Sequence, residues 1–273
     1  MLCLLIALLK TNLIIEAHSN IIRIRFIITG ENMAPAPKYD NETQQRMILS
    51  AAEQCINETS VTDFTMAKVS LHAGLSMGSI YKFVQTKEDL IMALAYESFT
   101  HVSSVFKQIL SLPLSTPERM LAVCLVSPQK IKRFSFDFEL QSYSTNKAVI
   151  KRASEYWTNK IIESCSGCEN VFKQTLLDGI EAGELQNIPN LHDVIEEIII
   201  SGWALTVGYE QVLRLQQTNQ IVEGTDSLLA PLALNDPLIR SAVRLLNSYP
   251  WQAPITHDSL LRIEKELQAL ELR

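Results

Sequence analysis

The sequence predicts an all-α protein, with a small three-helix head towards the N-terminus and a larger helical domain after it. Three observations lead there. Between residues 43 and 271 apolar side chains recur at intervals of three and four in one segment after another. The 273 residues hold only 9 Gly and 10 Pro, too few for the many tight turns of a β-sandwich or barrel. The one alternating stretch, Phe134, Phe136 and Phe138, has no neighbouring strand pattern to pair with, so it too is read as helical. With 47% apolar and 20% charged residues the chain has the balance of an ordinary folded protein.

The start of the chain is an exception to the helical reading. Its first nine residues, Met1 to Leu9, are all apolar, but a bilayer span needs about 20. A second apolar run, 21–28, is interrupted by Arg23 and Arg25, and nothing basic precedes the first run as a signal peptide requires. Gly30-Glu31 can be encoded as a ribosome-binding sequence just upstream of the Met33 codon. Residues 1–32 are therefore expected to be a mis-annotated leader outside the fold, with synthesis starting at Met33. No membrane association is expected. Residues 33–42, with Pro35, Pro37, Lys38 and Asp40, read as a flexible arm.

Helical spacing begins at 43–57, where Met47, Ile48, Ala51, Ala52, Cys55 and Ile56 form one stripe. Short helices follow at 65–72 and 77–83, separated by the turn Ala73-Gly74-Leu75-Ser76. Thr86 reads as an N-cap, and Glu88 and Asp89 place negative charge in the first turn of a helix reaching about 110. Ser115-Thr116-Pro117-Glu118 reads as the next cap, with Pro early in the helix. Further helices are expected at 117–126, 128–143, 146–164, 169–182, 191–216, 237–248 and 257–271, and 217–236 as the longest loop.

Charge and cysteine content narrow the function. A net charge of -6 excludes a chain that is basic overall, but nucleic-acid binding needs only a local basic face. Five cysteines, an odd number, do not form a disulfide framework, which points to a reducing compartment and a cytoplasmic location. Cys165-Ser-Gly-Cys168 lacks the second pair of a zinc site and the βαβ setting of a thioredoxin-type site. No metal, cofactor or catalytic motif is present: no nucleophile elbow, phosphate loop or dinucleotide fingerprint.

The region that carries function is the pair of short helices. Val69, Ala73, Leu75 and Ile80 can wedge them at a fixed angle, Ser70 is small where they approach, and Gly74 suits a left-handed turn. Between Phe64 and Lys87 the chain has Lys68, Lys82 and Lys87 but no acid, although it holds 30 acids overall. Such a gap suits a surface facing phosphates. The run from Thr65 to Leu90, preceded by Arg46-Met47-Ile48-Leu49-Ser50-Ala51-Ala52, resembles the signature of the TetR family of transcriptional regulators. The resemblance covers about 50 residues, and Val84-Gln85 replaces the aromatic and proline common there.

The resemblance implies a DNA-binding domain at 43–87 with a helix-turn-helix, and a ligand-binding and dimerisation domain at 88–273. It implies double-stranded operator DNA, a second copy of the chain and a small-molecule effector as partners. Carried over residue by residue, Thr65 and the amides of its helix hold phosphate. Ala67 falls where a base-reading side chain can stand, and Lys68 and Ser76 flank the reading surface. Met77, Gly78 and Ser79 face base edges, Tyr81 and Lys82 touch phosphates, and Lys87 anchors the flank. Phe134, Phe138, Tyr143, Trp157 and Trp203 are candidates to line a ligand pocket. Helix 191–216 is apolar nearly all round, so it must be covered on both sides; it is the expected dimer helix, with 237–248 as partner. The expected function is a ligand-responsive repressor released from a palindromic operator by an apolar or amphipathic inducer. The alternative is a regulator-fold protein acting mainly through protein partners, with DNA only localising it.

Overall fold

Twelve helices make up the computed structural model, which describes residues 39–185, 189–218 and 230–273. The expected leader 1–32 and most of the arm lie outside the described residues. The helices are α1 (Asn41–Glu58), α2 (Met66–Ala73), α3 (Met77–Phe83), α4 (Lys87–Leu110), α5 (Thr116–Leu125) and α6 (Pro128–Ile131). They continue with α7 (Asp137–Ser144), α8 (Lys147–Arg152), α9 (Glu155–Glu181), α10 (Leu191–Gln216), α11 (Pro237–Asn247) and α12 (His257–Ala269). Among the described residues there is no strand, only an isolated bridge between Leu185 and Trp251. The all-α expectation holds.

Local caps set most of the boundaries. Thr86 accepts the Asp89 N–H at 3.0 Å to start α4, and Glu118 accepts the Ser115 N–H at 3.0 Å to start α5. Gly74 ends α2 in the left-handed conformation, φ 63°, where a side chain is disfavoured. Thr256 caps α12 through the Ser259 N–H.

Two boundaries differ from the sequence expectation. The segment 128–143 is not one helix: it breaks at 132–136, because the Asp137 carboxylate accepts the N–H groups of Arg133 (2.6 Å) and Phe134 (3.2 Å) and starts a new helix. Phe134 and Phe136 come to lie face to face across this turn, ring centres 5.2 Å apart and 3° from parallel. Their alternation in sequence marks a buried turn, neither strand nor helix. Further on, the break expected between 164 and 169 falls instead at Ala153-Ser154, and α9 then runs unbroken through Cys165-Ser-Gly-Cys168.

The buried side chains form two clusters. The one nearer the head joins α1–α3 to the first half of α4 and to Phe134, Phe136, Leu140, Val149, Trp157, Ile161 and Cys165. The distal one joins the far half of α4 to α5, α11 and α12, with Leu176 of α9 and Ile195 and Ile198 of α10. Only α4 and α9 contribute buried residues to both. Six consecutive residues of α4, Leu90 to Ala95, are buried, so the helix is covered on every side there. Fully burying each Leu, Ile or Met contributes about 1.5–3 kcal/mol. The head's core is thus continuous with the domain behind it, and α4 and α9 are rods crossing both.

The candidate nucleic-acid interface and the internal cavity

In the head, α2 and α3 are fixed by the residues the sequence singled out. Val69, Ala73 and Ile80 are buried between them, and the Ser70 hydroxyl donates to the Leu75 carbonyl at 2.7 Å, bracing the turn. Thr65 caps α2 by accepting the Lys68 N–H at 3.3 Å, and Ser76 caps α3 by accepting the Ser79 N–H at 3.2 Å. Both helix N-termini therefore stand at the surface, a placement that suits anions. Thr65, Ala67, Lys68, Ser76, Gly78, Tyr81 and Lys82 are exposed, while Met77 and Ser79 are half-buried. The Ser79 hydroxyl lies 3.1 Å from that of Ser76, so the two share a hydrogen bond at the start of α3.

Lys87 is engaged more closely than an exposed lysine. Its ammonium donates to the Thr62 carbonyl and sits 4.5 Å over the centre of the Phe64 ring. Burial pushes the ammonium below its usual value, opposed by the charges of Asp63 and Glu88. Lys87 thereby ties the start of α4 to the loop between α1 and α2. Leu71, which the sequence reading passed over, is 76% exposed on α2.

The joint behind α3 depends on a residue whose role the sequence did not reveal. Asp89 is 1% exposed; its carboxylate accepts the Gln85 N–H at 2.8 Å and the Ser154 N–H at 2.5 Å. One buried carboxylate thus holds the turn after α3 and the start of α9 together. Three residues into α9, the Trp157 indole donates to the Phe83 carbonyl at 3.4 Å, and its ring meets that of Phe83 edge-on at 5.2 Å. Arg152 adds an ion pair with Glu88 at 3.4 Å. The far stretch of α9 is part of a cavity wall.

That cavity has two chambers. The inner one, about 260 Å³, is walled by apolar side chains including Phe99, Phe106, Met120, Phe172, Ile198 and Trp203. The outer one, about 430 Å³, is lined by Phe138, Leu213 and Leu232 together with Lys132, Asp137, Tyr209 and Asp236. Val102, Val123, Cys124, Ile131, Gln141, Thr206 and Glu210 face both, so the chambers adjoin. Tyr209 donates to Asp236 at 2.7 Å, and burial with that bond pushes its phenol up to about 12. The Arg214 guanidinium lies 3.7 Å over Phe138 and pairs with Glu139 and Glu210.

Of the five aromatic candidates, Trp203 lines the inner chamber and Phe138 the outer. Phe134, Tyr143 and Trp157 line neither; they pack in or against the core nearer the head. The helical pattern gives no sign of this, because which neighbour covers a face is decided by packing. Cys124, Cys165 and Cys168 all line the inner chamber, and burial pushes the Cys124 thiol up to about 12. Among the described residues no group of three His, Cys, Asp or Glu could hold a metal ion. Nor is any described helix long and apolar enough to cross a membrane.

The outer face of α10 carries Ile200, Val207, Val212 and Leu215, which are 37%, 45%, 50% and 68% exposed, with Ala204 and Gly208 between them. In contrast, α11 turns Leu238, Ile239, Ala242 and Leu246 into its own chain and leaves Arg240 and Arg244 outside. Val243 and Leu245, the other apolar residues of that stripe, are half-buried.

Residues 48–94 match the family described as bacterial regulatory proteins, tetR family. The fatty acid metabolism regulator protein of Bacillus subtilis (strain 168) is 24% identical over 155 residues, which are 55% of this chain and 72% of that protein. Among solved structures, the transcriptional regulator FadR from Bacillus subtilis in complex with stearoyl-CoA is similar at 17% identity and TM-score 0.44, covering 74% of this chain and 95% of that one. The reduced form of NemR from E. coli is similar at 15% identity and TM-score 0.45, covering 78% and 100%.

Proposed function

We propose that this chain, which belongs to the TetR family of bacterial regulatory proteins, is a dimeric repressor released from a palindromic operator by an apolar or amphipathic molecule held in its cavity. Members of the family are bacterial regulatory proteins. The observation that carries the reading is that α4 and α9 each link the head to the cavity. On α4, Leu90 to Ala95 pack in the core shared with the head, while Phe99, Val102 and Phe106 line the inner chamber. On α9, Trp157 holds the end of α3, while Cys165, Cys168 and Phe172 line the same chamber. A molecule that wedges the chamber moves both rods, and the head moves with them. Its effect on DNA is the difference in its affinity for the two arrangements.

The reading helix is α3. Met77, Gly78 and Ser79 at its start face base edges, and Tyr81 and Lys82 one turn on reach phosphates, with the α2 start at Thr65 holding a third. Lys87 contributes by holding the α1–α2 loop as well as by its charge. Two such heads must reach major grooves one turn apart, about 34 Å, which requires a dimer. The small-centred apolar strip of α10 supports a second copy packing there, helix on helix. The namesake activity of the Bacillus subtilis relative supports an effector with an extended apolar part, as does the apolar inner chamber. A regulator that reads chromosomal DNA works in the cytoplasm.

The test is a mobility-shift titration with DNA from upstream of its own gene, repeated with a panel of apolar and amphipathic compounds. Binding at nanomolar protein, and release by at least one compound that also raises the melting temperature, is the expected result. Failure to bind that DNA, or binding that no such compound releases, refutes the proposal.

A further inference from the structure

The two chambers differ in the charges they present, and the difference bears on the polar end of the ligand. Resting on the cavity as the effector site, we propose that the effector is a cationic amphiphile, its apolar tail in the inner chamber and an ammonium-type group in the outer one. The inner chamber offers mostly aromatic and aliphatic walls, with Glu169 its one carboxylate apart from the shared Glu210. Gln141, Thr206 and Glu210 stand where the chambers adjoin, a polar neck at the point where an amphiphile changes character.

Beyond the neck the outer lining carries three carboxylates, Asp137, Glu210 and Asp236, against the single ammonium of Lys132 among its described residues. Asp236 is occupied, since its Oδ1 accepts from the Tyr209 hydroxyl at 2.7 Å and the Leu238 N–H at 2.8 Å. Glu210 is held only loosely by Arg214 at 3.7 Å, and that guanidinium is shared with Glu139 at 3.4 Å.

Asp137 is the decisive residue. It is 2% exposed, and its Oδ2 is fixed by the N–H groups of Arg133 and Phe134. Its Oδ1 is buried with no hydrogen-bond partner. A buried acceptor left unpaired is costly, and a donor supplied by the ligand removes that cost. Lys132 is only half-buried on a long stem, so its head can turn to water, whereas the short Asp137 side chain cannot withdraw. A carboxylate ligand meets three like charges here. An N–H-bearing cation meets an unpaired acceptor and a loosely held Glu210.

Three ten-carbon amphiphiles of equal tail length separate the possibilities: decylamine, decanoate and decanol, each titrated calorimetrically below the concentration at which it aggregates. Wild-type protein is expected to bind decylamine about tenfold more tightly than either of the others, a difference of about 1.4 kcal/mol. Glu210→Gln, at a half-buried side chain that carries none of the fold's core, is expected to lower that preference about threefold, the remainder resting on Asp137. Asp137→Asn is the second variant, read only if its thermal transition remains cooperative. Decanoate or decanol binding as tightly as decylamine overturns the cationic ligand but leaves the cavity as the effector site. A preference for decylamine that neither Glu210→Gln nor Asp137→Asn lowers overturns its placement in the outer chamber. Binding of none of the three overturns both the inference and the ligand-cavity reading beneath it.

Discussion

Asp89→Asn tests the joint between the head and α9 with a nearly isosteric change. The carboxylate accepts two backbone N–H groups, from Gln85 at 2.8 Å and Ser154 at 2.5 Å, at a site only 1% exposed. An asparagine keeps one acceptor and turns an NH2 group towards the other donor. Losing one charge-assisted hydrogen bond costs about 1.5–3 kcal/mol. Removing the anion from the first turn of α4 costs about 0.3–1 kcal/mol more through the helix dipole. Together these give about 3 kcal/mol. For a chain of this size a kilocalorie moves the melting midpoint by about 2–4 °C, so a fall of about 6–12 °C is expected. Thermal unfolding followed by circular dichroism measures it. Trp157, bonded to Phe83 three residues beyond Ser154, should also change its emission in the native baseline. A midpoint within about 2 °C of wild type would refute the claim that this carboxylate holds the joint.

Val212→Asp puts a charge on the exposed α10 strip at a residue that lines neither chamber, so sedimentation should show a dimer for wild type and a monomer for the variant; a wild-type monomer at micromolar concentration defeats the dimer proposal. Lys82→Ala should weaken binding about equally on all DNA sequences and lower the salt slope by about 1 per protomer, measured by titration at several salt concentrations. An altered sequence preference would contradict its phosphate role. Gly179→Ala drives a methyl group into the Thr116 side chain where α9 crosses α5. It should cost about 1–3 kcal/mol in urea unfolding, with part recovered on adding Thr116→Ala. The Tyr209 phenol is raised from 10.0 to about 12, so its neutral form is favoured in the fold. The stability it contributes is present below pH 10 and is lost as the pH rises towards about 12. Tyr209→Phe should remove that component of the alkaline loss, and an ultraviolet pH titration should lose its latest-ionising tyrosine.

What the sequence determined by itself was whatever rests on neighbours within a turn or two. The periodic stripe of α1, the caps at Thr86 and Ser115, and the left-handed Gly74 all depend on residues three to five positions away, and each lies within reach of the eye along the chain. The exposed, acid-free pair α2 and α3 belongs here too, because its wedge and its lysines are local in sequence. The tertiary structure alone decided where long-range partners intervene. The break before α9 follows from Ser154 bonding to Asp89, 65 residues away, which no window of sequence contains. Trp157 looked as eligible for the cavity as Trp203, but it faces Phe83 while Trp203 faces the inner chamber. Cys124 joins Cys165 and Cys168 there only because α5 packs beside α9. Of the apolar residues of α11, the chain itself buries Leu238, Ile239, Ala242 and Leu246 and leaves Val243 and Leu245 half-buried, a division that the sequence pattern does not show. Periodicity reports that a helix has an apolar face, but burial is a property of what packs against it, and that is settled only when all the helices are placed together.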